Sequence, residues 1–261
     1  YKFNYTPNTK KFKNEPPSFK NRIIIHLVCQ IPIIFGFLIP VLFIINNVIY
    51  EFSRIDFEKV FNLTTNTIII SLISSIIIVV IAVYFQFLKR ILKNKTITFF
   101  NEVISLTYAL PGAVIGLSLI LLFTSYPFEN ELLIGSFGIL VYAYVIRYMA
   151  VGISPLKSSF DKHPSSYDDT AFNLGMGPTK LFRSIHLPIN KSAIAIAFLI
   201  TFVDIIKELP ITLILRPFNF DTLAVQTYEY AIEEMIPKSS IYSLAIVMLG
   251  AILLIFLKKI V

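Results

Sequence analysis

The chain of 261 residues has no tryptophan and one cysteine, Cys29. A single cysteine excludes an internal disulfide, and Cys29 falls in an apolar run where it reads as a small buried hydrophobe. Charged residues make up only 15% of the sequence. There is no glycine-rich phosphate loop, no Cys/His spacing suited to a metal and no nucleophile triad pattern. ATP hydrolysis by this chain, a resident metal site and a bound cofactor are therefore not expected. His26, His163 and His186 lie far apart with no partner at ligand spacing, so structural roles are expected for all three.

What is present is apolar surface in long runs. Hydrophobic residues make up 56% of the chain. A helix needs about 20 apolar residues to cross a hydrocarbon core of roughly 30 Å. Six segments qualify: Ile23–Tyr50, Leu63–Leu88, Ile104–Phe123, Leu132–Met149, Ala193–Leu215 and Ile241–Leu257. They are rich in β-branched residues, but open strand edges leave backbone groups unpaired in lipid, so helices are expected. The fold class is all-α: a polytopic membrane protein of about six transmembrane helices.

Charge placement sets an expected orientation. All of the 23 lysines and arginines except Arg54, Lys59, Lys207, Arg216 and Lys238 fall in segments 1–22, 89–102, 147–192 and 258–261. The positive-inside rule places those segments, and both termini, in the cytoplasm of a bacterial plasma membrane. Basic flanks facing anionic lipid account for the net charge of +7 without nucleic acid. Residues 1–22, with Pro7, Pro16 and Pro17, read as a cytoplasmic lead-in. They precede an apolar run too long for a signal-peptide core.

Between the apolar runs lies a polar island, His163–Pro188, reading HPSSYDDTAFNLGMGPTKLFRSIHLP. Ser165 with Asp168, and Ser166 with Asp169, match a Ser-x-x-acid helix start. The short helix is expected to stop at Gly175, which tolerates a left-handed cap. Gly177 and Pro178 make the turn into a second helix, which carries Leu181, Phe182 and Ile185 on one side and ends before Pro188. Ala171 and Gly175, four apart, are expected to form a small-sided face that admits another protein closely.

These residues resemble the signature loop of permeases in binding-protein-dependent ABC importers. That pattern is Glu-Ala-Ala, three residues, Gly, nine residues, Ile, one residue, Leu-Pro. Asp169, Thr170 and Ala171 stand in the first three places, and Gly175, Ile185, Leu187 and Pro188 follow at the same offsets. Asp replaces Glu, keeping the charge and shortening its reach, and Thr replaces Ala. The resemblance implies a coupling loop, residues 151–190, within a transmembrane domain over residues 23–261. It implies docking of a cytoplasmic ATPase dimer at Asp169, Ala171 and Gly175.

A second stretch, Lys207-Glu208-Leu209-Pro210 through Arg216-Pro217-Phe218-Asn219-Phe220-Asp221-Thr222-Leu223-Ala224, is similar to the ferric iron class of these permeases, as is Tyr108-Ala109-Leu110-Pro111-Gly112. The resemblance implies ferric iron as cargo and an extracytoplasmic binding protein as donor. Two six-helix halves are often fused in that class, and a chain opening at Tyr1 is expected to be the C-terminal half. A subunit pairing with a second copy is the alternative. Other solutes (thiamine, a polyamine or an inorganic anion) and a proton-driven carrier using Asp204 and Glu208 are the rival readings. The polar island speaks against the carrier, which needs no ATPase dock.

Asp204, Lys207 and Glu208 are expected within or at the outer end of the fifth span. Charges are costly there and face a cavity or one another. Spacings of three and four put them on one helix face as a neutralised cluster; the functional alternative is a polar lining or gate on the translocation path. Pro210 allows a kink. Arg216 and Asp221 flank an outer turn, and Asp221 is placed to cap a helix over Thr222–Glu234. Glu229, Glu233 and Glu234 in that outer region read as an ordinary solvated face, with a binding-protein dock as the alternative. Gly112 and Gly116 form a small-xxx-small pair for close helix packing, beside a break at Pro111.

Overall fold

The computed structural model describes residues 18–125 and 134–260. The lead-in over 1–17 and the outer segment after the third apolar run, 126–133, lie outside the described residues. Every regular element among the described residues is helical. In chain order these are α1 (Phe19–Arg54), α2 (Phe57–Leu92), α3 (Lys95–Thr107), α4 (Gly112–Thr124), α5 (Phe137–Lys162), α6 (Ser166–Asn173), α7 (Pro178–Ile189), α8 (Lys191–Ile206), α9 (Pro210–Leu215), α10 (Leu223–Ile232) and α11 (Ile236–Ile260). Four of them, α1, α2, α5 and α11, are long and apolar enough to cross a membrane. The count is six if the bent pairs α3–α4 and α7–α8 each make one span. The chain is an all-α, multi-pass membrane protein.

The centre of the bundle is α2 packed against α5 and α8. The inner face of α2 carries Ile70, Ser71, Ser74, Ser75, Ile78 and Ala82, all buried. It meets Leu140, Ala143 and Leu156 of α5 and Ala197 of α8. Lipid tails are as apolar as leucine, so close approach rather than hydrophobic transfer holds such helices together, and small residues permit it. The Ser75 hydroxyl donates to the Ser71 carbonyl at 2.6 Å, which lets a polar side chain stay in an apolar interior.

Around this centre α1 behaves as two halves. Its second half packs on α11, where Asn47 Nδ2 donates to Ser240 Oγ at 3.2 Å. Its first half touches little else among the described residues, and Cys29 is exposed rather than buried. Sequence periodicity cannot show that a run lacks a neighbour, hence the earlier expectation. Pro32 and Pro40 flank a wider π turn at Ile34–Leu38, where the helix accommodates the missing amide donors.

Two expected spans are broken. The third bends by 111° between Thr107 and Gly112, at the Pro111 that marked a break in the sequence. The fifth, expected as one run from Ala193 to Leu215, stops at Ile206; α9 starts afresh at Pro210, whose ring leaves Lys207–Leu209 outside either helix. The fourth span runs on past Met149 to Lys162, so Arg147 sits inside a helix and not in a polar segment.

Candidate functional site

The polar island folds as two short helices, α6 and α7, joined at a glycine turn. Gly175 has φ +75, the left-handed conformation that its lack of a Cβ makes inexpensive. The island begins where α5 ends. Helix ends leave carbonyls without intrahelical donors, and here one side chain satisfies three of them. Arg90, near the end of α2, donates to Phe160 O at 2.6 Å, His163 O at 3.0 Å and Pro164 O at 2.8 Å. Its Nε donates to Asp168 Oδ2 at 2.6 Å.

Asp168 is held from its other side by His186 of α7, at 2.8 Å between His186 Nε2 and Asp168 Oδ1. The imidazole stacks on Phe160 and leans on Phe87. Burial lowers the His186 pKa, against the pull of the Asp168 hydrogen bond and charge. A neutral ring with its proton on Nε2 then donates to Asp168. His163 is lowered too, by burial first and then by the Arg90 charge. His186 thus has the structural role expected of it. Ser165 makes no side-chain cap, and Asp168, the acid that the capping pattern assigns to the reciprocal bond, is drawn inward by Arg90.

The loop residues sort by this clasp. Asp169, Thr170, Gly175 and Pro188 are exposed, and Ile185 and Leu187 are half-buried. Ala171 is buried against Phe87, Phe160 and Leu181, so it fills the chain's own core and the expected Ala171–Gly175 docking face is not formed. The second helix does not end before Pro188. A π turn at Phe182–His186 precedes the proline and lets the helical path continue to Ile189.

The expected cluster of Asp204, Lys207 and Glu208 is divided. Lys207 Nζ pairs with Asp204 Oδ1 at 2.8 Å, with the lysine side chain 61% exposed. Because α8 stops at Ile206, Glu208 leaves that helix face and turns inward, where it is buried. Its Oε1 accepts the Ile211 N–H at 3.1 Å, closing the first turn of α9 at Pro210. Its Oε2 accepts the Tyr148 hydroxyl and lies 3.5 Å from Arg147 Nε. Tyr144 and Thr212 share a hydrogen bond of 2.6 Å beside it, and the Thr212 hydroxyl donates to Glu208 O at 2.9 Å. Arg147 and Tyr148 were missed by sequence reasoning. Their signal was a lone arginine inside an apolar helix, which asks for a buried counter-charge.

Gly112 and Gly116 do mark a close helix contact. A Cβ on Gly116 would lie 3.1 Å from Ile214 of α9. One on Gly112 would lie 2.8 Å from Glu208 Oε1 and 3.0 Å from Arg147 Nη1. Farther along, Arg216 pairs with Asp221 and, at 2.8 Å, with Glu229. Asp221 is engaged there, and Thr222 caps α10 in its place. No group of three or more His, Cys, Asp or Glu among the described residues could hold a metal ion.

No protein-family model matches the chain. Among curated proteins it is similar to the Fe(3+)-transport system permease protein FbpB 2 of Haemophilus influenzae, 26% identical over 204 residues covering 78% of this chain and 40% of that protein. It is 23% identical over 256 residues to a ferric transport system permease protein, FbpB 1, of the same organism, covering 90% and 39%. It is 32% identical over 94 residues to the maltose/maltodextrin transport system permease protein MalG of Escherichia coli K12, covering 36% and 31%. The chain spans about 40% of the length of the ferric relatives it matches. These likenesses bear out the resemblance to importer permeases that the loop motif carries, and to their ferric iron class that residues 207–224 and 108–112 carry.

Proposed function

From the loop geometry and these likenesses we propose that residues 23–261 form the transmembrane domain of an ATP-driven, binding-protein-dependent importer that passes ferric iron. Residues 151–190 serve as its coupling loop, and residues 1–22 as a cytoplasmic lead-in. An ATPase dimer on the cytoplasmic side supplies hydrolysis, which this chain does not perform. An extracytoplasmic binding protein delivers the iron, and a second permease half or a second copy completes the path. Both termini lie in the cytoplasm of the inner membrane, a placement that the charge distribution supports. Closure of the ATPase pushes the coupling loop, and the bundle alternates between outward and inward access.

One observation carries the reading. The clasp fixes the loop's inner side to α2 and α5 through Arg90 and leaves Asp169, Thr170 and Gly175 outward. A rigid base under a free polar face suits an element that is pushed by a partner. We assign Asp204, Lys207, Glu208, Pro210, Arg216 and Asp221 to the translocation path or its gate. Asp204 and Glu208 have separate partners, which disfavours a proton relay through both. The ferric relatives match 78 and 90% of the chain and the maltose relative 36%, which favours ferric cargo over another solute.

The test is Gly175→Glu in the importer assembled with its ATPase and binding protein. No heavy atom lies within 4 Å of a Cβ at this position, so the change adds bulk and charge outward. The backbone cost in the left-handed region is about 1–2 kcal/mol, small enough to spare insertion. We expect uptake of radiolabelled ferric iron and retention of the ATPase to fall by about tenfold or more. Normal uptake with a glutamate at 175 would refute the docking role.

A further inference from the structure

One arginine joins both helix breaks. Arg147, on the continuous helix α5, donates from Nη1 to Leu110 O at 2.8 Å, inside the bend between α3 and α4. The same guanidinium approaches Glu208, in the gap between α8 and α9. Gly112, the first residue of α4, lies so close to both groups that even a methyl would strike the carboxylate and the guanidinium. Three separate parts of the chain therefore meet at a single pair of charges.

The joint is held loosely at one point. Glu208 is firmly kept by Ile211 N–H and Tyr148 OH. Arg147 is anchored to Leu110 and lies over the Tyr148 ring at 5.7 Å. Between the two, the approach is 3.5 Å, and buried Arg147 Nε makes no hydrogen bond among the described residues. Arginine and carboxylate built for permanence meet in two parallel short bonds. Here each partner is supported by its own break, and the contact between them is the weakest link.

We propose that Arg147 and Glu208 are the gate pair of this chain: a latch that holds the two broken helices together in the state seen here and parts when the path opens. This deepens the permease reading and rests on it. Glu208 moves with α9, Arg147 with α5, and the α3–α4 bend follows Arg147 through Leu110. Gly112 is the position that lets the latch close.

The experiment measures closure without cargo. Cys29 is the single cysteine, so Cys29→Ser gives a blank background for thiol labelling. Ile211→Cys places a thiol at a fully buried position beside the latch, and Leu223→Cys places one in a separate core cluster, equally buried. Each chain is reconstituted in liposomes and treated with a water-soluble maleimide. Adding Glu208→Gln should speed labelling at 211 by about tenfold, the change expected when a minor open state becomes a major one, and leave 223 unchanged. Gly112→Ala, which keeps both charges, should give the same pattern by forcing them apart. Equal acceleration at both thiols would mean general loosening, and no acceleration at 211 would mean no closure there; either result overturns the latch. Acceleration with Glu208→Gln but not with Gly112→Ala overturns it as well, because the Tyr148 bond alone would then close the site. Ferric iron uptake in the same liposomes, with the ATPase and binding protein added, reports separately on the importer. A latch signature without iron uptake removes the cargo assignment and leaves the latch standing.

Discussion

Asp168 and Glu208 are both buried carboxylates facing an arginine, and they are built to opposite ends. At Asp168 every group is engaged: Arg90 makes four hydrogen bonds, three of them to carbonyls at the end of α5 and just beyond it, and His186 closes the other side. At Glu208 the carboxylate is engaged but the arginine is not fully so; the charges stand 3.5 Å apart and Arg147 Nε is left without an acceptor. Removing one partner of a buried pair is costly because the other charge stays behind, but how costly depends on what else holds each partner. The first pair reads as a rivet between elements that travel together, the second as a contact between elements that separate.

The sharpest way to break this contrast is at the rivet. Asp168→Ala leaves Arg90 buried without its counter-charge and strips His186 of its acceptor, so a loss of about 3–5 kcal/mol is expected. Thermal unfolding in detergent should show it, and the ATPase should fail to co-purify. If Asp168→Ala keeps both stability and ATPase binding, the clasp is ornamental.

Glu208→Gln should cost less, about 1–3 kcal/mol, since the one carbonyl oxygen of glutamine can still accept from Ile211 N–H while its amide donates to the Tyr148 hydroxyl oxygen. A loss in melting temperature equal to that of Asp168→Ala would erase the distinction between rivet and latch.

The smallest effect sharpens a third case. Lys207 is largely exposed although Asp204 is mostly buried, and a pair open to solvent at the lysine is expected to contribute less than about 1 kcal/mol, reduced further by salt. A double-mutant cycle of Lys207→Ala with Asp204→Asn should show coupling of a few tenths of a kcal/mol, and one with Glu208→Gln should show none. Measurable coupling between Lys207 and Glu208 would restore the three-residue cluster that helical spacing suggested.

That spacing shows where the sequence stopped being legible. The apolar runs marked the first, second and sixth spans closely, because hydrocarbon thickness dictates their length. Gly175 and Pro178 marked the loop's turn, and Pro111 marked the bend after α3. Pro210 was read as a kink in a continuous helix, yet it starts a new one; with α8 ending at Ile206, the i, i+4 relation of Asp204 to Glu208 ceases to apply. Asp168 pointed inward for a reason 78 residues away in sequence, at Arg90. Ala171 was read as a docking surface because periodicity reports small size and not which neighbour lies opposite. Burial partners of single charges are long-range facts, and a lone chain offers no local signature for them.

The Arg90 clasp has a mechanical consequence. With Phe160, His163 and Pro164 fastened to α2, the end of α5 becomes the fulcrum of a lever. Arg147 lies thirteen residues before Phe160, about 20 Å along a helix rising 1.5 Å per residue. A tilt of about 10° about that fulcrum would displace Arg147 by about 3–4 Å, as much as the 3.5 Å that now separates it from Glu208. Pro155 sits between fulcrum and tip and removes one rung of the helix there, so it is where the lever can flex. A small push on the loop is thus geometrically sufficient to carry the guanidinium beyond reach of the carboxylate.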